Sequence, residues 1–241
     1  MTTSTNEESV EIDDVMDTPE ETSGAFADAL TCLRILLVPL IVFLIWKGWQ
    51  PVEQGGINLN LAVLSSALFF IAALTDIFDD FLGGNEQSAY RKYGYLDDVA
   101  DTVLVIGTLA ALLFVLNRAG ILTWTITVPV AVLILREVIV GLVKGYELTR
   151  YIWPNTLLSN AKSGFAMLGT CLLIASPWLQ SWIDQIRAGT DNVEAVLAST
   201  SPLIWLLGTI AIWVAAILSI ITGVILLRTK LDETLLDDVS E

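Results

Sequence analysis

Six long apolar segments restrict most strongly what this chain can fold into. They lie at residues 30–46, 59–82, 96–117, 120–143, 157–178 and 203–227. An α-helix needs about 20 apolar residues to cross the hydrocarbon core of a bilayer, and each segment is near that length. The chain is 54% hydrophobic with a mean hydropathy of +0.68, which is too apolar for a soluble domain of this size. We therefore predict an all-α integral membrane protein built as a six-transmembrane-helix bundle.

The acidic residues concentrate at the two ends of the chain. Residues 1–26 hold eight acids and no base, and residues 231–241 hold five more acids, within a net charge of −15. Polar segments that lack apolar periodicity favour solvated disorder. The sequence thus predicts a disordered acidic tail at 1–26, one membrane domain at 27–230 and a second acidic tail at 231–241.

The basic residues between the segments predict the orientation of the chain. One set of loops carries Arg91, Lys92, Lys144, Arg150, Arg228 and Lys230, whereas the opposite loops carry only Lys47, Arg118 and Arg187. Cytoplasmic loops are enriched in lysine and arginine, so both termini are predicted to be cytoplasmic. Every charge inside a segment also falls toward this side, which indicates one charged, water-accessible cavity there.

Four aspartates frame the junction between the second and third segments. Asp76 and Asp79 share one helical face, and Asp97 and Asp101 share another. An acid at the centre of a membrane helix costs roughly 2.5–3.5 kcal/mol, and converging carboxylates also repel one another. Such a cluster indicates bound cations, most plausibly hard divalent metals with oxygen ligands. Because the chain has no histidine, Ser-His-Asp chemistry and His-ligated zinc are excluded.

The spacing of these aspartates resembles the signature of the CDP-alcohol phosphatidyltransferases, D-x-x-D-G-x-x-A-R followed by G-x-x-x-D-x-x-x-D. Three other segments are similar to the phosphatidylglycerophosphate synthases of that family. They are Ala29-Leu30-Thr31-Cys32-Leu33-Arg34 with Pro39, Arg136-Glu137-Val138-Ile139, and Ser159-Asn160-Ala161-Lys162-Ser163. The resemblance covers roughly residues 27–175.

The resemblance implies a reaction. A phosphatidyl group would pass from CDP-diacylglycerol to an alcohol acceptor such as glycerol 3-phosphate, with release of CMP. Asp76, Asp79, Asp97 and Asp101 would form the Mg²⁺ or Mn²⁺ site, and Asp101 would also take the proton from the acceptor hydroxyl. The resemblance further implies a homodimer, and we expect it in the cytoplasmic membrane of a bacterium.

The resemblance also assigns binding residues. The CDP-lipid would contact Thr31, Arg34, Asp80, Gly83, Gly84 and Arg91, and the acceptor phosphate would contact Arg136, Lys162 and Ser163. Three of these side chains have a plainer alternative. Arg34 and Lys162 could extend to the lipid headgroups, and Arg136 could form a structural ion pair with Glu137.

The chain departs from the family signature beside the aspartates. Asp80 stands where the family has glycine, and Gly83-Gly84 replaces its Ala-Arg pair. These changes leave three alternatives open: a non-catalytic metal-binding scaffold, an enzyme that uses another acceptor alcohol, and a cation transporter that uses the same carboxylates.

Overall fold

The computed structural model describes residues 20–50, 56–81, 94–145, 157–188 and 203–240. Its regular elements are six helices: α1 Glu20–Gly48, α2 Leu59–Phe81, α3 Gly94–Arg118, α4 Trp124–Gly145, α5 Leu157–Ala188 and α6 Leu203–Ser240. These ranges contain no β-strand, only an isolated bridge between Trp49 and Ile57. The predicted all-α, six-helix architecture is therefore confirmed.

The outer surface of the bundle is apolar, as expected for a protein surrounded by lipid. Large hydrophobic side chains are more than half exposed on most helices, for example Leu36, Phe70, Phe114 and Leu135. Four described stretches are long and apolar enough to span a membrane: Ala29–Gly48, Val99–Arg118, Asn160–Ile186 and Leu203–Ile225. At a rise of 1.5 Å per residue, α2 is about 35 Å and α4 about 33 Å long, close to the hydrocarbon thickness, and the described apolar part of α2 is Leu59–Thr75. The protein is a multi-pass membrane protein.

Helix starts follow from local capping. The Oδ1 of Asn58 accepts hydrogen bonds from the backbone N–H groups of Asn60 and Leu61, at 3.1 and 3.3 Å, and so caps α2. Before α4, Gly120 has a φ of +69°, which closes a turn after α3. The apolar segment predicted at 120–143 consequently becomes a helix only at Trp124.

Close packing between α5 and α6 depends on two glycines. A Cβ at Gly169 would lie 2.8 Å from the side chain of Ile212 and 3.0 Å from its backbone nitrogen. A Cβ at Gly208 would lie 3.0 Å from the side chain of Leu173. The two helices can approach this closely only because both positions lack a side chain. Helix α6 also packs on α4, α1 packs on α2 and α3, and α2 packs on α5, so the main helix contacts are not limited to helices that follow each other in the chain.

Both predicted acidic tails differ from the structure where it describes them. Helix α1 begins at Glu20, inside the predicted 1–26 tail, and α6 continues to Ser240, through most of the predicted 231–241 tail. These parts are helical instead of disordered. No proline or glycine interrupts residues 224–240, and Leu231, Leu235 and Val239 continue a helical period, so the last helix has no local signal to end at the membrane. Residues 1–19 lie outside the described ranges, and the division into domains stays a prediction.

Candidate active site

Four of the charged residues within the helices lie toward one end of the bundle. Arg34 lies in the first part of the span Ala29–Gly48, Asp101 near the start of Val99–Arg118, and Lys162 near the start of Asn160–Ile186. Glu137 lies in the second half of α4, which runs in the opposite direction. The side-chain contacts described next join these residues in two clusters, one between α1 and α3 and one between α4 and α5.

Arg34 and Asp101 form a buried ion pair between α1 and α3. The Nη1 atom of Arg34 donates to the Oδ1 atom of Asp101 at 2.5 Å. The Arg34 side chain is fully buried, and that of Asp101 is 21% exposed. An arginine that extended to the headgroups would expose its guanidinium to water, so the burial of Arg34 excludes that alternative, and its role in lining the site stays a prediction. Thr31, one turn earlier on α1, is buried on the same helix.

Glu137 joins two cations on neighbouring helices. Its Oε1 atom accepts a hydrogen bond from Nη1 of Arg136 at 2.7 Å and from Nζ of Lys162 at 2.8 Å. All three side chains are less than one-fifth exposed. The ion pair considered for Arg136 and Glu137 exists, and Lys162 belongs to it instead of reaching alone toward the headgroups. Two positive charges share one carboxylate, which leaves the cluster with a net charge of +1.

Helix α6 supports this cluster through two residues that the sequence did not single out. The Nη2 atom of Arg136 donates to Oγ1 of Thr222 at 3.4 Å. A Cβ at Gly223 would lie 3.6 Å from Cγ of Arg136, so the arginine stem lies against the glycine surface. Within the described ranges, Nε of Arg136 is buried without a hydrogen-bond partner. The guanidinium thus retains one donor that no carboxylate or carbonyl of the described protein uses.

Several predicted site residues lie outside what the structure describes. Gly83, Gly84 and Arg91 fall in residues 82–93, and of Asp76, Asp79, Asp80 and Asp97 only the helical backbone is described. That backbone places Asp76 and Asp79 in the last turns of α2 and Asp97 and Asp101 in the first turns of α3, helices that contact each other. Ser163 is partly buried and follows Lys162 on α5.

A family comparison decides what this arrangement represents. The sequence model of the CDP-alcohol phosphatidyltransferase family matches residues 25–221, which is most of the chain. The chain belongs to the CDP-alcohol phosphatidyltransferase family. The matched region includes all four aspartates and the two ion-pair clusters, and the resemblance inferred from the motifs is confirmed.

Curated relatives agree with this assignment. The chain is 29% identical over 187 residues to the CDP-diacylglycerol–glycerol-3-phosphate 3-phosphatidyltransferase of Salmonella typhimurium strain LT2. It is 28% identical over 187 residues to proteins of the same name from Shigella flexneri and Escherichia coli strain K12. Each alignment covers 73% of this chain and 90% of the relative. The protein is accordingly a membrane phosphatidyltransferase, and the cation-transporter alternative is set aside.

Proposed function

We propose that this protein transfers a phosphatidyl group from CDP-diacylglycerol to glycerol 3-phosphate and releases CMP. The observation that carries the acceptor assignment is the cluster of Arg136, Glu137 and Lys162. Its net positive charge and the buried unpaired Nε of Arg136 suit a phosphate-bearing acceptor. The protonated amine of an amino alcohol would be repelled by that excess charge, and an unphosphorylated inositol would leave the charge without a counterion. The names of the relatives, CDP-diacylglycerol–glycerol-3-phosphate 3-phosphatidyltransferases, support the same acceptor.

Glu137 would set the position of both cations before the acceptor binds. Its single oxygen Oε1 holds Arg136 and Lys162 on one side of the cluster, at 2.7 and 2.8 Å. Arginine offers a planar fork of donors and lysine a compact charge, so together they can bind different oxygens of one phosphate. The acceptor would be held by its phosphate here, which directs its hydroxyl toward the aspartates.

Asp101 would act as the general base. It would accept the proton of the acceptor hydroxyl, whose oxygen then attacks the phosphorus on the lipid side and breaks its bond to CMP. Arg34 would be a positioning residue, because its guanidinium fixes one carboxylate oxygen of Asp101 at 2.5 Å. Because Arg34 binds one oxygen of the Asp101 carboxylate, the orientation of this carboxylate is restricted, which favours proton transfer from a bound alcohol.

The donor chemistry of the four aspartates fits a divalent cation. The family is in general dependent on divalent metals. All candidate ligands are carboxylates near the ends of α2 and α3, two helices that contact each other, and carboxylate oxygens suit Mg²⁺ or Mn²⁺ and not a softer ion. Asp76, Asp79 and Asp97, with Asp101, would hold it. When bound, such a cation would neutralise the pyrophosphate charge and polarise the phosphorus.

The test of this function is metal-dependent CMP release by purified protein. The protein would receive CDP-diacylglycerol with a panel of acceptors: glycerol 3-phosphate, inositol phosphate, phosphatidylglycerol and an amino alcohol. We expect CMP and phosphatidylglycerophosphate only with glycerol 3-phosphate, and no product when chelator removes the divalent cation. Turnover of another acceptor at the higher rate would reject the assigned acceptor. No CMP release with any acceptor would favour a non-catalytic member.

The departures beside the aspartates predict weak binding of the CDP-lipid. A carboxylate at Asp80 and the missing arginine at Gly84 both disfavour an anionic pyrophosphate. The double change Asp80→Gly with Gly84→Arg is expected to lower the KM for CDP-diacylglycerol by about tenfold, equivalent to roughly 1.4 kcal/mol. The control Asp80→Asn with Gly84→Gln changes size without adding a cation and should give a smaller gain. An unchanged KM in the double variant would show that these positions do not contact the CDP-lipid.

The proposal places both termini and residues 83–95 in the cytoplasm. In a variant with Cys32 and Cys171 replaced by alanine, single cysteines would be introduced within 83–95 and at Gln185. An impermeant thiol reagent should label the two positions from opposite sides of sealed vesicles, because the basic residues are asymmetrically distributed. Labelling from the same side would reject the six-span topology. The bacterial cytoplasmic membrane and a homodimer remain part of the proposal.

A further inference from the structure

A cavity lies at the opposite end of the bundle from the charged site. It has a volume of about 700 Å³, and every helix, or the residues that flank it, contributes to its lining. Its residues include Trp49 after α1, Leu116 near the end of α3, Gln180 and Asp184 in α5, and Trp205 at the start of α6. Along α1, Trp49 is about 22 Å from Arg34 at 1.5 Å per residue, so this cavity is separate from the transferase site.

Two polar atoms in the lining of this cavity have no hydrogen-bond partner in the described ranges. Gln180 donates through Nε2 to Oδ1 of Asp184 at 2.9 Å, but its Oε1 atom is buried and has no partner in the described ranges. Trp49 is 94% buried, since its exposed fraction is 6%, and its indole Nε1 also has no partner there. A buried polar atom without a partner is unfavourable, so these two atoms indicate a missing ligand or water.

The charge of the lining selects the kind of ligand. Asp184 is the one ionisable residue among the described lining residues, which include no lysine or arginine. An anionic ligand would therefore meet a carboxylate and no counterion. Asp184 and the Oε1 atom of Gln180 accept hydrogen bonds, so they match a group with several N–H donors. The N–H of Trp49 requires an acceptor close to that group.

The apolar part of the lining defines the rest of the ligand. The rings of Trp49 and Trp205 lie 6.4 Å apart, and Ile57, Leu116 and Ile121 complete an apolar wall. An alkyl chain can occupy such a wall, and a nearby ammonium can also interact with the indole faces. We propose that this cavity binds a primary-amine amphiphile, a molecule with a protonated amino group, an adjacent hydroxyl and an alkyl chain.

The proposal can be tested by equilibrium binding of tritiated sphinganine, a long-chain amino diol, to full-length protein in phosphatidylcholine nanodiscs. Empty nanodiscs give the nonspecific partition. We expect saturable binding that Asp184→Asn weakens at least tenfold, because a charge-assisted hydrogen bond is lost. Trp49→Phe, which removes the N–H donor together with the five-membered part of the indole ring, should weaken binding at least threefold. Lys47→Gln, at the same end but outside the lining, should leave the affinity unchanged.

Competitors distinguish the parts of the ligand. Unlabelled sphinganine should displace the label, while its N-trimethyl analogue, which keeps the charge but has no N–H donor, should compete poorly. Hexadecyl sulfate should not compete, and competition by short ethanolamine at equal concentration would show a site for soluble amines and overturn the amphiphile assignment. If the Asp184→Asn variant elutes as a single species and binds sphinganine as tightly as the wild type does, the proposed site is wrong. If Asp184→Asn does not fold, Trp49→Phe takes its place in the test. Sphinganine binding that Trp49→Phe leaves unchanged would then show that the proposed site is wrong.

Discussion

Replacement of Asp101 by asparagine is expected to lower kcat for CMP release by a factor on the order of 10² or more, the usual contribution of a positioned general base. Asparagine keeps the size of the side chain and can still accept a hydrogen bond from Arg34 at the position where Oδ1 now lies. It cannot accept the proton of the acceptor hydroxyl. The KM values for both substrates should change much less than kcat, because the acceptor phosphate binds elsewhere.

The ion pair with Arg34 makes a structural control necessary. Loss of one partner of a buried pair can destabilise a protein by up to about 3–5 kcal/mol because the other charge is left unpaired, and removing both charges avoids that penalty. The double variant Arg34→Met with Asp101→Asn should therefore regain thermal stability while its kcat stays low. A double variant that regained turnover together with stability would show that Asp101 acts structurally, and the assignment of the base would be wrong.

The metal site provides a second comparison within the same experiment. Asp76→Asn is expected to raise the concentration of Mg²⁺ or Mn²⁺ needed for half-maximal activity, because it removes a candidate ligand. Asp101→Asn should alter that concentration less than it alters kcat. The two variants thus separate a residue that mainly holds the cation from one that mainly transfers the proton.

The sequence predicted the helices and the charged end more completely than the contacts within that end. Apolar length and the one-sided depth of the charges are properties of single segments, so they can be read before the helices pack. The pairing of Arg34 with Asp101 depends on how α1 and α3 rotate about their axes, which residue spacing does not determine. The motif also left open whether Lys162 faces lipid or the bundle.

Thr222 and Gly223 show the limit of such reasoning in another way. A threonine and a glycine in an apolar helix are ordinary, and no charge or motif marks them in the sequence. Their role appears only because α6 packs on α4 and presents a hydroxyl and a bare backbone to Arg136. Likewise, the continuation of α6 to Ser240 was missed because acidic composition was given more weight than helical periodicity.

The second large effect is expected for Lys162. Lys162→Ala should raise the KM for glycerol 3-phosphate by about 10- to 100-fold, since a charged hydrogen bond to a phosphate contributes roughly 1.5–3 kcal/mol. The KM for CDP-diacylglycerol should remain near its wild-type value. The fold should tolerate the change, because Glu137 keeps its 2.7 Å contact with Arg136 after Nζ of Lys162 is removed.

Two further variants separate the charge of Lys162 from its packing. Lys162→Met keeps most of the apolar stem and should raise the acceptor KM nearly as much as alanine does. Lys47→Ala removes a cation that lies over the ring of Trp46 at the other end of the bundle, and it should leave the acceptor KM unchanged. If Lys162→Met instead raises the KM values of both substrates equally, Lys162 contacts the CDP moiety or only stabilises the cluster. The acceptor phosphate would then have to be bound by Arg136 alone, whose buried Nε is the remaining unpaired donor in the described part of the cluster.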